Sequence, residues 1–168
     1  MKGQIGKKDM STIRDEVQLA LFRVGTGEFA VDIMRIMEII RPQKVTGVPK
    51  APQFMLGIIN LRGKVVPVFD MRGRFGASSE PSDARKNRII IVSVGGRVIG
   101  IEVDEVLEVI YLQRDHVEET PDSVKGPEAE FLEGVGKVGD RLILILDLER
   151  LLTGDEIHRL GEMDENAD

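Results

Sequence analysis

The carboxylates Asp70 and Asp147 are the residues best placed for acid–base chemistry, because they occupy equivalent positions in two similar segments of the chain. Two carboxyl groups in one site can divide the roles of proton donor and proton acceptor. Each aspartate, however, follows a strand-like run and precedes a short helical pattern, which is where an N-capping aspartate belongs. Neither is followed by the small hydroxyl and glycine residues of an aspartic protease. We therefore interpret both as helix caps, and we predict no catalytic residue.

The glycine-rich segment Gly134–Gly139 formally matches the G-x-G-x-x-G pattern of dinucleotide-binding proteins. That pattern requires a following helix whose N-terminus holds the pyrophosphate. Here the apolar β-type run Leu142–Leu146 follows, which favours a strand and a hairpin turn. The two histidines, His116 and His158, have no histidine or serine nearby in sequence that would suggest a metal site or a catalytic triad. We predict no cofactor and no metal.

Composition narrows the function further. The 168 residues include 23 Lys and Arg against 29 Asp and Glu, a net charge of −6, and no cysteine, which removes thiol nucleophiles, thiolate zinc sites and disulfides. An acidic chain with scattered basic residues disfavours nucleic acid as a partner. The longest stretch without a charge, Ala51–Leu61, has 11 residues, well short of the roughly 18 apolar residues of a membrane span. We expect a cytoplasmic protein without direct membrane insertion.

Short apolar runs rich in β-branched residues, bounded by glycine, proline or asparagine, predict a mainly β fold. Short helices are expected after Asp70 and Asp147, and Thr153–Glu156 has a capping-box pattern that opens a C-terminal helix, so residues 153–168 form that helix and an acidic tail. Residues 1–14 and 76–87 show no apolar periodicity and are expected to be flexible. Three pairs of residues predict tight hairpin turns: Arg62-Gly63, Gly95-Gly96 and Gly139-Asp140.

An internal repeat is the most informative feature of the sequence. Phe29–Ile40 aligns without gaps on Ile99–Ile110, with the same residue class at ten of twelve positions. The exceptions are Met34 over Asp104 and Arg35 over Glu105. Gly57–Asp70 aligns on Gly134–Asp147, again without gaps. The repeat predicts one domain over residues 15–152, made of two related β subdomains with a shared core, at about 17–76 and 88–152, with boundaries left open because strands can cross over.

Several motifs in and around this repeat together resemble the CheW chemotaxis coupling protein family from about Val17 to Leu152. The string Asn60-Leu61-Arg62-Gly63 with its flanks is specific. The resemblance implies two five-stranded SH3-like β-barrels and an adaptor without catalysis. The segments that carry it are Asp32-Ile33, Glu38-Ile39, Val45–Pro49, Gly57–Asp70, Gly100–Asp104, Gly134 and Gly139–Arg141.

The resemblance also implies partners. Such proteins connect the cytoplasmic tip of methyl-accepting chemoreceptors to the regulatory domain of the histidine kinase CheA, in rings where like domains alternate and where other CheW copies are possible partners. The kinase-contacting positions fall on Ile33 and Ile39. The receptor-contacting positions fall on Ile36, Glu38, Gly57, Arg62, Ile89, Val109 and Gly134.

The residues alone leave other interpretations open at these positions. Burial is the default for β-branched side chains in a β fold, and the two glycines could be required by the backbone. Other functions also stay open: a small-barrel interaction module in another receptor–kinase pathway, a single-strand binder that the net charge disfavours, or an enzyme using the two capping aspartates. Glu38 and Arg62 are expected to form a charge pair. The second repeat has Glu108 and Gly139 at the same positions, so we expect no analogous pair there.

Overall fold

Alternating apolar residues form short β-strands throughout the described part of the chain. The computed structural model describes residues 15–75, 83–120 and 131–151. The strands are β1 Glu16–Val24, β2 Gly27–Asp32, β3 Ile36–Ile40, β4 Met55–Leu61, β5 Lys64–Asp70, β6 Arg88–Val94, β7 Arg97–Val103, β8 Glu105–Gln113, β9 Val117–Glu118, β10 Leu132–Val138 and β11 Arg141–Leu146. The helices are α1 Met71–Arg74 and α2 Leu148–Leu151, with 3-10 turns at Ile33–Arg35, Ala84–Lys86 and Arg114–His116.

The strands form two sheets. The first sheet has the order β8-β1-β2-β11-β10-β9, and the second has the order β3-β6-β7-β5-β4. The predicted mainly β fold is confirmed, and its two sheets have six and five strands, where the resemblance implied two five-stranded barrels. The sheets do not divide at residues 76–87: each takes its β-hairpin β1-β2 or β6-β7 from one repeat and its other strands from the other repeat. The two repeats therefore exchange hairpins, and neither sheet is complete without both.

The strand register agrees with the repeat. The predicted hairpins β4-β5 and β10-β11 are both antiparallel, and each has a register shift next to its glycine, Gly57 or Gly134. β5 pairs in parallel with β7, placing Val68 opposite Gly100, and β11 pairs in parallel with β2, placing Ile145 opposite Ala30. These two pairs are equivalent in the alignment of the repeats, so the duplication extends to individual residue pairs.

The main core lies where the two sheets meet. Phe22 and Phe29 of the first sheet pack in one cluster with Ile99 and Ile101 of the second, and all four are buried. The ring of Phe29 stacks on Phe75 with 4.5 Å between ring centroids. Smaller clusters lie within each sheet. The predicted shared core is present, and its apolar burial makes the sheets mutually dependent.

Local turn chemistry is as predicted. Asp70 Oδ1 accepts a hydrogen bond from the Arg72 N–H at 3.0 Å, and Asp147 Oδ1 accepts one from the Glu149 N–H at 3.0 Å, so both aspartates cap helices. The three hairpin turns have positive φ at Arg62 (51°), Gly63 (86°), Gly95 (55°), Gly96 (79°) and Gly139 (60°). The segment Gly134–Gly139 thus belongs to a strand and a hairpin turn.

Two expectations on flexible or terminal segments have different outcomes. Within residues 76–87, which we expected to be flexible, the described Ala84–Lys86 forms a 3-10 turn with Asp83 as its N-cap. Asp83 Oδ1 accepts from the Arg85 N–H at 3.1 Å, a local contact that needs no apolar periodicity. The predictions for residues 1–14, for the helix opening at Thr153 and for the acidic tail lie outside the described residues.

Candidate partner-binding surface

An ion pair joins opposite edges of the second sheet. Arg62 lies in the β4-β5 turn, and both of its terminal nitrogens donate to the two carboxylate oxygens of Glu38 in β3, one of them at 3.0 Å. Hydrogen bonding to Arg62 lowers the pKa of the Glu38 carboxyl below its ordinary value, more than burial raises it. The side chain of Arg62 stays mostly exposed. The guanidinium is therefore held in one orientation while it faces solvent.

The turn that carries Arg62 is itself well ordered by local contacts. Asn60 Oδ1 accepts a hydrogen bond from the Gly63 N–H at 2.8 Å, which stabilises the positive φ of the two turn residues. Beside β4, the segment after β3 pairs through Thr46 with Ile58, by two hydrogen bonds of 2.8 Å. The second sheet therefore curls until its β3 side meets its β4 side, and the Glu38–Arg62 pair spans that meeting point.

The second repeat has an analogous pair, which contradicts the expectation that none exists. Arg141, two residues beyond the position aligned with Arg62, contacts Glu108 of β8 at 3.3 Å and Glu28 of β2 at 2.6 Å. Because the side chain is long, an arginine from the far side of the turn can reach the same carboxylate. Hydrogen bonds from Arg141 lower the pKa of Glu28 below its ordinary value. In both repeats, therefore, an arginine ion pair connects the hairpin to another strand of its sheet.

Exposed apolar side chains lie at equivalent places in the two repeats. In the first repeat Met37 and Ile39 point outward from β3, and in the second Leu107 and Val109 point outward from β8. Ile39 is 41% exposed and Val109, its equivalent, is 46% exposed. Val65 and Leu142 in the two hairpins are likewise equivalent and exposed. Large apolar residues that share a solvent-facing position in both repeats mark candidate contact surfaces.

The predicted kinase-contacting residues lie around one turn. Ile33 begins the 3-10 turn between β2 and β3 and is partly buried, and Ile39 is exposed on β3. Asp32 Oδ1 accepts from the Met34 N–H at 2.9 Å and so caps the turn.

A shallow groove of about 370 Å³ lies alongside β4, lined by Gln43, Lys44, Thr46, Ile58, Ile59, Asn60 and Val65.

Of the predicted receptor-contacting residues, five belong to the second sheet and two to the first. Ile36, Glu38, Gly57, Arg62 and Ile89 lie on β3, the β4-β5 hairpin and β6, and only Glu38 and Arg62 of this set form a side-chain ion pair. Ile36 packs partly buried against the main core. Val109 and Gly134 lie on β8 and β10 of the first sheet.

Ile89 requires a correction. Its side chain is 0% exposed and packs with Ile59, Val66, Val68 and Ile91 inside the second sheet. A fully buried side chain cannot contact a partner at the surface, so Ile89 is a core residue. Strand β6 lies between β3 and β7, and its isoleucines are buried on both faces: Ile90 packs in the main core, and Ile89 and Ile91 pack in the cluster within the second sheet.

Gly57 and Gly134 each lie where two backbone segments pass very close to one another. A Cβ at Gly57 would lie 2.1 Å from the carbonyl oxygen of Thr46, and its φ of 150° disfavours other residues. A Cβ at Gly134 would lie 2.8 Å from the carbonyl oxygen of Glu118. Both positions are therefore required by the fold, and any effect on a partner would come through the backbone.

The sequence can be compared with known proteins at this point. The sequence model of the CheW-like domain family matches residues 18–156 of this chain. The chain belongs to the CheW-like family. The chemotaxis protein CheW of Klebsiella aerogenes is 32% identical over 140 residues, which cover 83% of this chain and 84% of that protein. The chemotaxis protein CheW of Rhizobium meliloti is 35% identical over 139 residues, covering 83% and 89%.

A solved structure agrees with this membership. The scaffolding protein TtCheW from Thermoanaerobacter tengcongensis is 34% identical, has a TM-score of 0.76, and is matched over 83% of this chain and 94% of that one. The protein is thus a chemotaxis coupling adaptor of the CheW-like family. Among the described residues, no helix is long and apolar enough to cross a membrane.

Within this CheW-like chain, sequence reasoning missed a buried charged cluster. Asp104 is 2% exposed, and its carboxylate accepts from the Gly25 N–H at 2.6 Å and from Arg72 at 2.9 Å. Burial and the neighbouring carboxylates of Asp70 and Asp104 raise the pKa of Glu102 above its ordinary value. The signal was present in the repeat alignment, because Asp104 stands where the first repeat has an apolar methionine.

Proposed function

We propose that this protein couples the cytoplasmic tip of methyl-accepting chemoreceptors to the regulatory domain of the histidine kinase CheA, without catalysis of its own. The observation that supports this best is the Glu38–Arg62 pair, in which Arg62 reaches from the β4-β5 turn to Glu38, and Glu38 lies on β3 between the exposed apolar residues Met37 and Ile39. Apolar anchors next to a few oriented polar groups suit recognition of another protein. The protein works in the cytoplasm and is recruited to membrane receptor arrays by these contacts.

On the receptor side, we assign contact to side chains that reach the surface. A receptor helix lying in a shallow groove needs apolar anchors and fixed polar groups. Arg62 supplies an oriented donor, and Val109 supplies an exposed apolar contact. Glu38 on β3 holds Arg62 by their ion pair, and Ile36 on the same strand packs against the main core. Gly57 and Gly134 allow the close backbone approaches on which the hairpins depend.

On the kinase side, we assign contact to the turn and strand that begin with Ile33 and run to Ile39. An apolar side chain that is exposed in the free protein gains most when a partner removes it from water. Ile39 is exposed in this way, whereas Ile33 is partly buried and supports the turn. The partner is a domain of similar fold, whose own apolar strand surface would complement this one.

A non-catalytic role is supported by how the best candidate groups are used. Asp70 and Asp147 both accept backbone N–H groups as helix caps. The buried Asp104 is bound to an arginine and to a backbone N–H group, as a structural charge would be.

The proposal is tested by calorimetric titration of the full chain with each partner alone. We expect saturable one-to-one binding of the CheA regulatory domain and, separately, of a receptor tip fragment. Binding of neither partner by a protein with a normal thermal melt would contradict the proposal and favour an interaction module in another receptor–kinase pathway. Thermal melts accompany every titration, so that a misfolded sample is recognised.

A further inference from the structure

The two repeats differ most where the chain passes from one sheet to the other. Met34 lies in the turn between β2 and β3, and Asp104 is the single residue between β7 and β8. They are aligned in the repeat, and β2 and β8 lie in the first sheet while β3 and β7 lie in the second. The same crossover is therefore built from a methionine in one repeat and an aspartate in the other.

The second crossover is buried and tied to the rest of the fold. The Asp104 N–H donates to the carbonyl oxygen of Arg23 at 3.0 Å, and its carboxylate accepts from Gly25 and Arg72. The neighbouring Glu105 contacts Arg23 at 3.5 Å and Lys86 at 3.7 Å. These contacts connect both sheets at one buried point, so this crossover has an evident structural role.

The first crossover leaves its side chain in water. Met34 is 86% exposed, and Met37, three residues further on in strand β3, is 61% exposed. Met71, by contrast, is 1% exposed within the main core, and Met55 packs against that core. Burial protects a thioether from dissolved oxidants, and exposure leaves it reactive. The fold thus presents two sulfur atoms on the surface that begins with Ile33 and includes Ile39.

We propose that Met34 and Met37 form an oxidation-sensitive site that controls docking of the kinase regulatory domain. A peroxide-class oxidant transfers one oxygen atom to each thioether sulfur, which loses two electrons and becomes a sulfoxide, while the peroxide is reduced to water. The product is polar, so it no longer gains from being removed from water at an apolar contact. The inference rests on the proposed function, because it takes this surface as the kinase-docking one.

The second repeat makes oxidation selective for the kinase-docking surface. Its equivalent strand presents Leu107 and Val109, which carry no sulfur, in place of Met37 and Ile39. Aliphatic side chains do not react with peroxide under conditions that oxidise methionine. The receptor contacts assigned above, Arg62 and Val109, carry no sulfur, so we expect receptor binding to persist when Met34 and Met37 are oxidised. Oxidation would separate the kinase from a coupling protein that still holds its receptor.

The test treats the full chain with hydrogen peroxide and locates sulfoxides by peptide mass spectrometry. Affinities for the CheA regulatory domain and for a receptor tip fragment are measured before and after treatment. The matched control is the double variant Met34→Leu, Met37→Leu, which keeps the apolar surface and all other methionines. A second control returns the oxidised protein to the reduced form with methionine sulfoxide reductases A and B.

We expect oxidation of Met34 and Met37 well before Met71, a fall of about tenfold in kinase affinity, and unchanged receptor affinity. The leucine variant should keep its kinase affinity after peroxide, and reductase treatment should restore that of the original protein. Unchanged kinase affinity with both sulfoxides formed would overturn the inference, as would an equal loss in the leucine variant. Failure of the untreated protein to bind the kinase domain would count against the proposed function itself. The affinity measured before peroxide treatment distinguishes this outcome from a failure of the oxidation proposal.

Discussion

Arg62 and Glu38 form a two-pronged ion pair between the β4-β5 turn and strand β3, at opposite sides of the second sheet. Arg141 makes the corresponding connection in the second repeat, to Glu108 and Glu28. Both repeats therefore use an arginine to fix a hairpin to another strand of the same sheet. What distinguishes the first pair is that its guanidinium is the more exposed of the two, and this leaves it available to a partner.

A double-mutant cycle on Glu38 and Arg62 tests whether the pair orients Arg62 for receptor binding or only stabilises the fold. Arg62→Ala should weaken receptor-fragment binding by about tenfold or more, because an oriented arginine is a typical anchor of a protein contact. Glu38→Ala should weaken the same binding by releasing Arg62, and the double variant should lose less than the sum of the single losses. The cycle is measured by titration calorimetry, with melting temperatures that shift by no more than about 2 °C.

Arg85 provides the matched control for that cycle. It also makes a two-pronged pair with a carboxylate, to Asp83 at 3.1 Å and 3.1 Å, and it is even more exposed. Arg85→Ala should leave receptor binding unchanged. Strict additivity of Arg62→Ala and Glu38→Ala, or an equal effect of Arg85→Ala, would show that the Glu38–Arg62 pair has no specific role in binding.

Ile39 and Val109 allow a comparison of the two surfaces at equivalent positions and similar exposure. Ile39→Glu should weaken binding of the CheA regulatory domain and spare the receptor fragment, because a carboxylate placed in an apolar contact loses its hydration without gaining a partner. Val109→Glu should do the reverse. Binding of each variant to each partner is measured by calorimetry. An equal loss for both partners from either variant would mean that the two surfaces are not separate.

The local features of this fold followed from the sequence because short-range chemistry determines them. A glycine or an arginine-glycine pair between two apolar runs was enough to place the three hairpin turns, and a carboxylate before a helical pattern was enough to place the caps at Asp70 and Asp147. The alignment of the repeats agrees with the observed register, because Val68 opposite Gly100 and Ile145 opposite Ala30 are equivalent pairs.

Features that depend on long-range pairing did not follow. Nothing in the hairpin β1-β2 indicates that it joins β8 and β11 instead of β3, so the exchange between repeats was not predictable from one sequence. Ile89 was assigned to the receptor contact by the family resemblance, and the sequence could not correct this because an isoleucine in a strand has the same pattern whether one face or both faces are covered. Arg141 was overlooked because alignment compares positions, whereas a long side chain can reach an equivalent partner from two residues away.

Gly57→Ala tests whether this position acts through the backbone. The added Cβ would lie 2.1 Å from the Thr46 carbonyl oxygen, so we expect a loss of about 2 to 4 kcal/mol in the free energy of unfolding. Gly47→Ala is the control, because a Cβ there meets nothing within 4 Å. Urea denaturation measures both variants. A stable Gly57→Ala protein that had lost receptor binding would instead make Gly57 a direct contact.

The raised pKa of Glu102 predicts a pH-dependent change in stability. Because burial and the carboxylates of Asp70 and Asp104 favour the protonated form in the folded state, the folded protein binds this proton more tightly than the unfolded chain does. The ionised carboxyl therefore lowers stability above its folded pKa, and this cost disappears as the pH falls below the ordinary value of 4.5. Glu102→Gln should raise the melting temperature at pH 7 and lose that advantage near pH 4.

Thermal melts of both proteins between pH 4 and pH 8 follow this difference. Glu149→Gln is a suitable comparison, because Glu149 is an exposed carboxylate in an ion pair with Arg35. It should not raise the melting temperature at pH 7. A Glu102→Gln protein that is less stable than the original at pH 7 would contradict the sign argued here.

The central claim is that one molecule of this protein joins a receptor to a kinase. The most direct test is co-sedimentation of the CheA regulatory domain with receptor fragments held on vesicles, with and without the full chain. We predict that the kinase domain sediments only when the full chain is present, and that Ile39→Glu abolishes this while the variant itself still sediments. Competition, in which added kinase domain releases the protein from the receptor fragments, would contradict it.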